Sequence, residues 1–220
     1  MRHVTRRSFV VGGAVALGLA LGGCAGQLWG SGRLAVEDRH VSGFDAVSVG
    51  GGARLVLTQG DRESLAVEAD DNLLPLVETE VRGGRLSLGW RSGTSVATDR
   101  GLRFEVTARE LSAIAASGGG QVEATGLDTP ALRVDASGGA HVRAEGRDDR
   151  QEVTSSGGGG FDGARLRGAS ARVRASRGGW AVVDVAEELD ASADGGGWVE
   201  YAGEPRVRQE ASGGGWVRRR

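Results

Sequence analysis

"ADGGGWV" at residues 193–199 and "ASGGGWV" at residues 211–217 decide how this chain folds. Four relatives precede them: "ASGGGQV" from Ala116, "ASGGAHV" from Ala136, "SSGGGGF" from Ser155 and "ASRGGWA" from Ala175. Aligned on their second residue, the copies stand at Ser117, Ser137, Ser156, Ser176, Asp194 and Ser212, 18 to 20 residues apart. A near-constant period of that length marks stacked supersecondary units.

The flanks show what the unit is. Ahead of each glycine run, one column holds Ile114, Val134, Val153, Val173 and Ala191. The next holds the small residues Ala116, Ala136, Ser155, Ala175, Ala193 and Ala211. Behind the run, Val122, Val142, Phe161, Ala181, Val199 and Val217 align, and charged residues such as Arg133, Asp135, Arg143 and Glu145 lie between these columns. Strict two-residue alternation describes half-buried strands. Each unit therefore reads as strand, glycine corner, strand. The second glycine of the corner is present in all six copies, as Gly119, Gly139, Gly158, Gly178, Gly196 and Gly214. A residue without Cβ is needed where φ is positive or backbones approach closely. One copy cannot bury its apolar face alone, whereas stacked copies can. The expected fold is all-β: a β-helix-like solenoid with repeats from about 112 to 217. An antiparallel meander is the alternative, but it gives no reason for equal spacing. Arg218 to Arg220 would then place charge on the last strand edge, which discourages edge-to-edge pairing.

Residues 36 to 111 carry strand and turn patterns without the repeat, and "DDNLLPLVETEV" from Asp70 suggests a short helical turn capped by Asp71. No proline–glycine–serine linker separates this half from the repeats, so residues 36–220 read as one domain.

The N-terminus, "MRHVTRRSFVVGGAVALGLALGGCAG", sets Arg2, Arg6 and Arg7 before an apolar run from Phe9 to Leu21. That is the layout of a secretory signal over residues 1–23. The run is too short and glycine-rich for a permanent span. "TRRSFV" resembles a twin-arginine export signal, and "LGGC" at 21–24 resembles a bacterial lipobox, whose cysteine receives a diacylglycerol. Cys24 is the single cysteine, so no intramolecular disulfide or multi-cysteine metal site can form. Residues 24–35 read as a lipid-anchored tether. Trp29 within it either meets the lipid interface or packs on the domain.

Composition narrows the remaining classes. With 40 glycines but 3 prolines and 39% hydrophobic residues, the chain is neither collagen-like nor merely disordered. A net charge of −2 gives no basic signature of a nucleic-acid partner. The glycine runs lack the Gly-Lys-Ser/Thr of a phosphate loop. Valines stand where calcium-binding β-rolls need aspartate, and no serine sits in a nucleophile elbow. His141 occupies an outward column. Asp135, Glu145, Asp190 and Glu200 are the carboxylates a polysaccharide-cleaving β-helix would draw on. No cofactor or metal is expected beyond the covalent lipid on Cys24.

Trp180, Trp198 and Trp216 each follow the aligned serine or aspartate by four residues. In a stacked coil they form one column opposite in sense to the buried valines. Such a ladder either binds an envelope glycan or surface protein, or covers the thin glycine corners and packs on itself.

"GFDAVSVGGGARLVLTQGD" (43–61), "SLAVEADDNLLPLVETEVRGGRLSL" (64–88) and the serial "SGGG" turns together resemble the head GIN domain family of auto-transporter adhesins over about residues 36 to 217. The family usually has Gly-Ser-Gly at these turns, and Ser176-Arg177 departs further from it. The resemblance implies an all-β, β-helix-like envelope protein and brings no catalytic residue. The expected function is a lipid-anchored, non-enzymatic module for surface interaction, adhesion or structure. A carbohydrate-active β-helix enzyme is the alternative, favoured if outward carboxylates cluster in one groove.

Overall fold

The aligned serine–glycine segments are β-turns, and they stack. In the computed structural model, which describes residues 27–220, both central residues of each turn have positive φ. At the first central position Gly118, Gly138, Gly157, Gly195 and Gly213 lie between +53° and +59°. At the second, Gly119, Gly139, Gly158, Gly178, Gly196 and Gly214 lie between +75° and +81°. The fourth residue's N–H closes the turn onto the first residue's carbonyl, as in Gly197 to Asp194 at 2.9 Å and Gly215 to Ser212 at 2.9 Å. Two positive φ values and this bond define the I′ pattern. At the second position, backbone conformation alone selects glycine: a Cβ on Gly139, Gly158, Gly178, Gly196 or Gly214 would meet nothing within 4 Å. The fourth residue is selected differently. A Cβ on Gly159, Gly179, Gly197 or Gly215 would overlap the carbonyl of the coil beneath. The turns also bond to one another, from Gly119 N–H to Gly138 C=O (3.0 Å) through Gly196 N–H to Gly213 C=O (3.0 Å). The second-position donors of all corners but the last are thus satisfied along the stack rather than by water.

Arg177 takes the first central position of its turn with φ +49°, the one non-glycine residue at positive φ among the described residues. Arg177→Gly should therefore raise stability by up to ~1 kcal/mol, the cost a side chain meets in this region. Thermal melts of the two proteins check it.

Strands leave and enter these turns in parallel register. The chain runs through β1 (Leu28–Trp29), β2 (Leu34–Arg39), β3 (Ala46–Val49), β4 (Arg54–Gln59), β5 (Ser64–Asp70), β6 (Val77–Arg82), β7 (Arg85–Trp90), β8 (Val96–Ala97), β9 (Arg103–Ala108) and β10 (Ala113–Ala116). It continues as the long coil segments β11 (Gln121–Ser137), β12 (His141–Ser156), β13 (Gly160–Ser176) and β14 (Trp180–Asp194), and ends in β15 (Trp198–Ala202), β16 (Arg206–Ala211) and β17 (Trp216–Arg219). Ile114, Val134, Val153, Val173 and Ala191 pair in series, as do Val122, Val142, Phe161, Ala181, Val199 and Val217. The parallel solenoid is the architecture; the meander is excluded. Each buried aliphatic side chain contributes roughly 1.5–3 kcal/mol relative to exposure. Large and small residues share a column: Ala181 lies over Phe161, and Gly163 leaves room for the Phe161 ring.

The N-terminal half belongs to the same stack. Gly51 and Gly52 have φ +66° and +71°, and the Gly52 N–H donates to Gly118 C=O at 2.9 Å. "VGGGARL" at 49–55 is therefore one more corner of the solenoid, between β3 and β4. Beneath it, β7 pairs with β3 and β9 with β4, both parallel. The chain thus forms its second-lowest coil first, then the lowest, then climbs. β2, β5 and β9 extend the sheet by antiparallel pairing.

Two expectations are corrected. The helical turn is a three-residue 3-10 turn, Leu74–Leu76, with Leu73 before it and no side-chain cap. Asp71 instead accepts from the Ser31 hydroxyl at 2.5 Å and meets Arg33 at 2.9 Å. The stretch from 24 to 35 is not all tether: β1 already pairs with β8, Leu28 opposite Val96 and Trp29 opposite Ala97, and β2 starts at Leu34. The proposed signal over 1–23 and Cys24 lie outside the described residues.

Candidate functional site

The indole column is the most distinctive surface feature. Residues in register across parallel coils stand one above another, so Trp180 pairs with Trp198 and Trp198 with Trp216. Their rings are nearly parallel, with centroids 5.3 Å and 5.2 Å apart and interplanar angles of 10° and 6°. All three are half-buried. Above, the Arg218 guanidinium lies 4.6 Å from the Trp216 ring centre. Below, the register continues through Gly160 to His141. The Trp180 ring fills the space a Cβ on Gly160 would need, which lets it reach the His141 ring two coils down, centroids 5.7 Å apart and tilted by 50°. His141 and Gly160 are thus parts of the column that a search for tryptophans overlooks. The signal was present in the alignment, where both share Trp180's place.

This geometry limits what the ladder can do. Sugars stack on aromatic faces, but here each broad face meets a neighbouring ring, the Gly160 backbone or a guanidinium. What remains open is a row of ring edges. The arrangement fits a spine that ties successive coils together, each stacked pair adding roughly 0.5–1.5 kcal/mol beyond area burial.

The carboxylates do not converge. Asp135 and Asp190 lie on segments entering the turns, Glu145 and Glu200 on segments leaving them. Each is met by arginine: Asp135 by Arg133 (3.0 Å), Asp190 by Arg172 (3.2 Å), Glu145 by Arg165 (3.4 Å) and Glu200 by Arg218 and by Arg220 (3.6 Å). Several of these pairs bridge adjacent coils, as does Arg143 to Asp162 at 3.1 Å. Exposed pairs of this kind contribute ~0–1 kcal/mol each. Among the described residues, no three His, Cys, Asp or Glu side chains gather to hold a metal ion.

One polar pair lies inside. Asp148 and Gln151 are buried, with the Gln151 amide donating to Asp148 Oδ1 at 3.2 Å and to Leu166 C=O at 3.2 Å. Asp148 Oδ2 and Gln151 Oε1 have no protein partner. Burial pushes the Asp148 carboxyl up to about 7; the Gln151 hydrogen bond lowers it in part, and the neighbouring Asp149 charge raises it. The folded state therefore holds a proton that the unfolded chain releases near pH 4. Stability from this group is full below pH 4 and falls as pH rises to about 7. Asp148→Asn should remove that slope and be more stable than the parent protein at pH 8, by less than ~4 kcal/mol, the unscreened ceiling of a three-unit shift. Urea midpoints at pH 5 and pH 8 check this.

The opposite end of the solenoid carries the exposed apolar residues. Trp29 is 70% exposed, Val36 63%, Leu34 49% and Leu28 44%; the one other exposed large hydrophobic among the described residues is Val207, at 38%, on the last coil. Leu34 and Val36 share one face of the β2–β5 ladder with Asp70 and Glu68. Residues 30–32 cross that same face, with Gly30 against the Asp70 carboxylate and the Gly32 N–H donating to Asp70 Oδ1 at 2.7 Å. The Asn72 amide holds the Trp29 carbonyl at 2.8 Å. These contacts fix residues 29–32 against the end of the β2–β5 layer.

A β-solenoid on stacked glycine turns, with an antiparallel layer at one end, defines the class. The family described as "Putative auto-transporter adhesin, head GIN domain" matches residues 43–205, and the chain belongs to that family. Among solved structures, a "putative adhesin" from Bacteroides fragilis is similar at 21% identity, covering 88% of this chain and all of that one, with a TM-score of 0.69. A "putative adhesin" from Parabacteroides merdae matches at 18% identity, covering 88% and 99%, TM-score 0.57. A "Putative lipid binding protein" from Parabacteroides distasonis matches at 18%, covering 89% and 100%, TM-score 0.53. At these identities the likeness is one of fold. No curated protein matches the chain.

Proposed function

We propose that this protein is exported, acylated on Cys24 and held at the cell envelope as a non-enzymatic module for adhesion or surface organisation. Family membership supports the surface role, and the signal layout ending in "LGGC" supports the anchor. The observation that carries the non-enzymatic reading is the arginine pairing of Asp135, Asp190, Glu145 and Glu200 on two different sides of the coil; Glu152 and Glu188, which line one groove with Asp190, are likewise met by Arg174 (3.9 Å) and Arg206 (2.5 Å). The solenoid serves as a stiff rod, with the indole ladder as its spine. Cys24→Ser should move the protein from the membrane fraction to the soluble fraction. Retention of that variant in membranes would refute the anchor. The glycan alternative has its own check: because the indole faces are covered, intrinsic fluorescence should not change across a panel of envelope polysaccharides. A saturable shift abolished by Trp198→Ala would restore the glycan reading.

A further inference from the structure

The geometry points to a lipid-facing end: Leu28, Trp29, Leu34 and Val36 form a surface that seats the domain on the bilayer, with the tryptophan ladder at the membrane-distal end. The inference deepens the anchored reading above and rests on it.

The first support is the length of the leash. Four residue steps separate Cys24 from Leu28, and an extended chain spans at most ~3.6 Å per residue. Leu28 therefore lies within about 14 Å of the acylated cysteine. Leu28 is no part of a free tether, since β1 is paired to β8 of the domain. So short a link cannot hold the domain away from the bilayer. The end bearing β1 must face it.

The second support is what that end presents. Four of the five exposed large hydrophobics among the described residues are Leu28, Trp29, Leu34 and Val36. They sit on the segment nearest the anchor, and the Asp70 and Asn72 contacts fix residues 29–32 against the β2–β5 layer that carries Leu34 and Val36. Tryptophan is favoured at the membrane–water interface. Nearby charges are of both signs, with Arg33 paired to Asp71 and Glu68 opposite Val36. Attraction to anionic headgroups is therefore not the driving term; burial of apolar side chains is. The two acyl chains of a diacylglyceryl group suffice to hold the protein at the membrane; the apolar set decides which end of the domain is seated.

The third element is orientation. Trp29 lies at the lowest coils, lining a cavity with Gly51, Gly52, Trp90 and Ala97. The turns climb from Gly51–Gly52 through six further corners to Gly213–Gly214. At ~4.8 Å per rung, the Trp216 corner stands about 30 Å above that end.

The test uses the full chain, expressed in a host that exports and acylates it. Benzoylphenylalanine is placed in turn at Trp29, Val36 and, as a control at the other end, Val207. Membranes are labelled with a clickable phospholipid, and Cys24 acylation is read separately with a clickable fatty acid. Phospholipid adducts at Trp29 and Val36 several-fold above Val207 are expected. Acylated protein with equal yields at all three positions, or adducts at Trp29 and Val36 to protein alone, would overturn the seating while leaving the anchor intact. Absence of fatty-acid label would overturn both.

Discussion

Gly146→Val will cost the fold ~3 kcal/mol or more, which lowers Tm by about 6–12 °C in a domain of this size. Gly146 has φ +140°, and a Cβ there would overlap the carbonyl oxygen, amide nitrogen and carbonyl carbon of Leu127 on the coil beneath. All three obstacles are backbone atoms, so no side chain can swing aside. Leu127 and Gly146 are paired at the bend where the register of β11 and β12 shifts. Relief would require parting two coils there and losing the parallel hydrogen bonds beside the bend. Arg143→Ala, three residues earlier, removes only an exposed ion pair to Asp162 and should change stability by less than ~1 kcal/mol. Differential scanning calorimetry separates the two. Equal melting temperatures would mean that the bend at Gly146 does not bring the coils into contact.

Trp198→Ala carries the second large effect. Trp198 is the middle ring of the stack, within 5.3 Å of Trp180 and 5.2 Å of Trp216. Its loss removes two stacked pairs at roughly 0.5–1.5 kcal/mol each, together with the half-buried area of an indole. The expected loss is ~2–4 kcal/mol, below the cost of a fully buried tryptophan. The near-UV circular dichroism of the coupled indoles should fall with it. Trp29→Ala, at a ring 70% exposed and outside the stack, should leave the unfolding midpoint unchanged. If the two variants unfold alike, the ladder is not what joins the upper coils.

The repeat was legible because a parallel solenoid imposes its period directly on the sequence. The columns headed by Ile114 and Val122 in the alignment are the columns of the core. What escaped notice has physical reasons. The corner at Gly50–Ala53 repeats the triple glycine but begins with Gly50 in place of serine. It is also separated from the next corner by the β5–β9 excursion, which breaks the period. The pairing of Leu28–Trp29 with Val96–Ala97 spans nearly seventy residues of chain and two residues of strand, too short to show alternation. The reach of Trp180 to His141 depends on an absent side chain at Gly160. Asp148 and Gln151 stand in the charged run "EGRDDRQE" (145–152). Residues three apart fall on opposite faces of a simple strand, so alternation cannot bury both; β12 breaks its alternation at the exposed Asp149 and Arg150, and Asp148 and Gln151 both turn inward.

The anchor is the centre of the functional account, and intact-protein mass spectrometry of the membrane-extracted chain tests it most directly. The predicted result is a polypeptide beginning at Cys24, heavier than residues 24–220 by a diacylglyceryl group. A chain that retains residues 1–23, or one cut elsewhere and carrying no lipid, would contradict it.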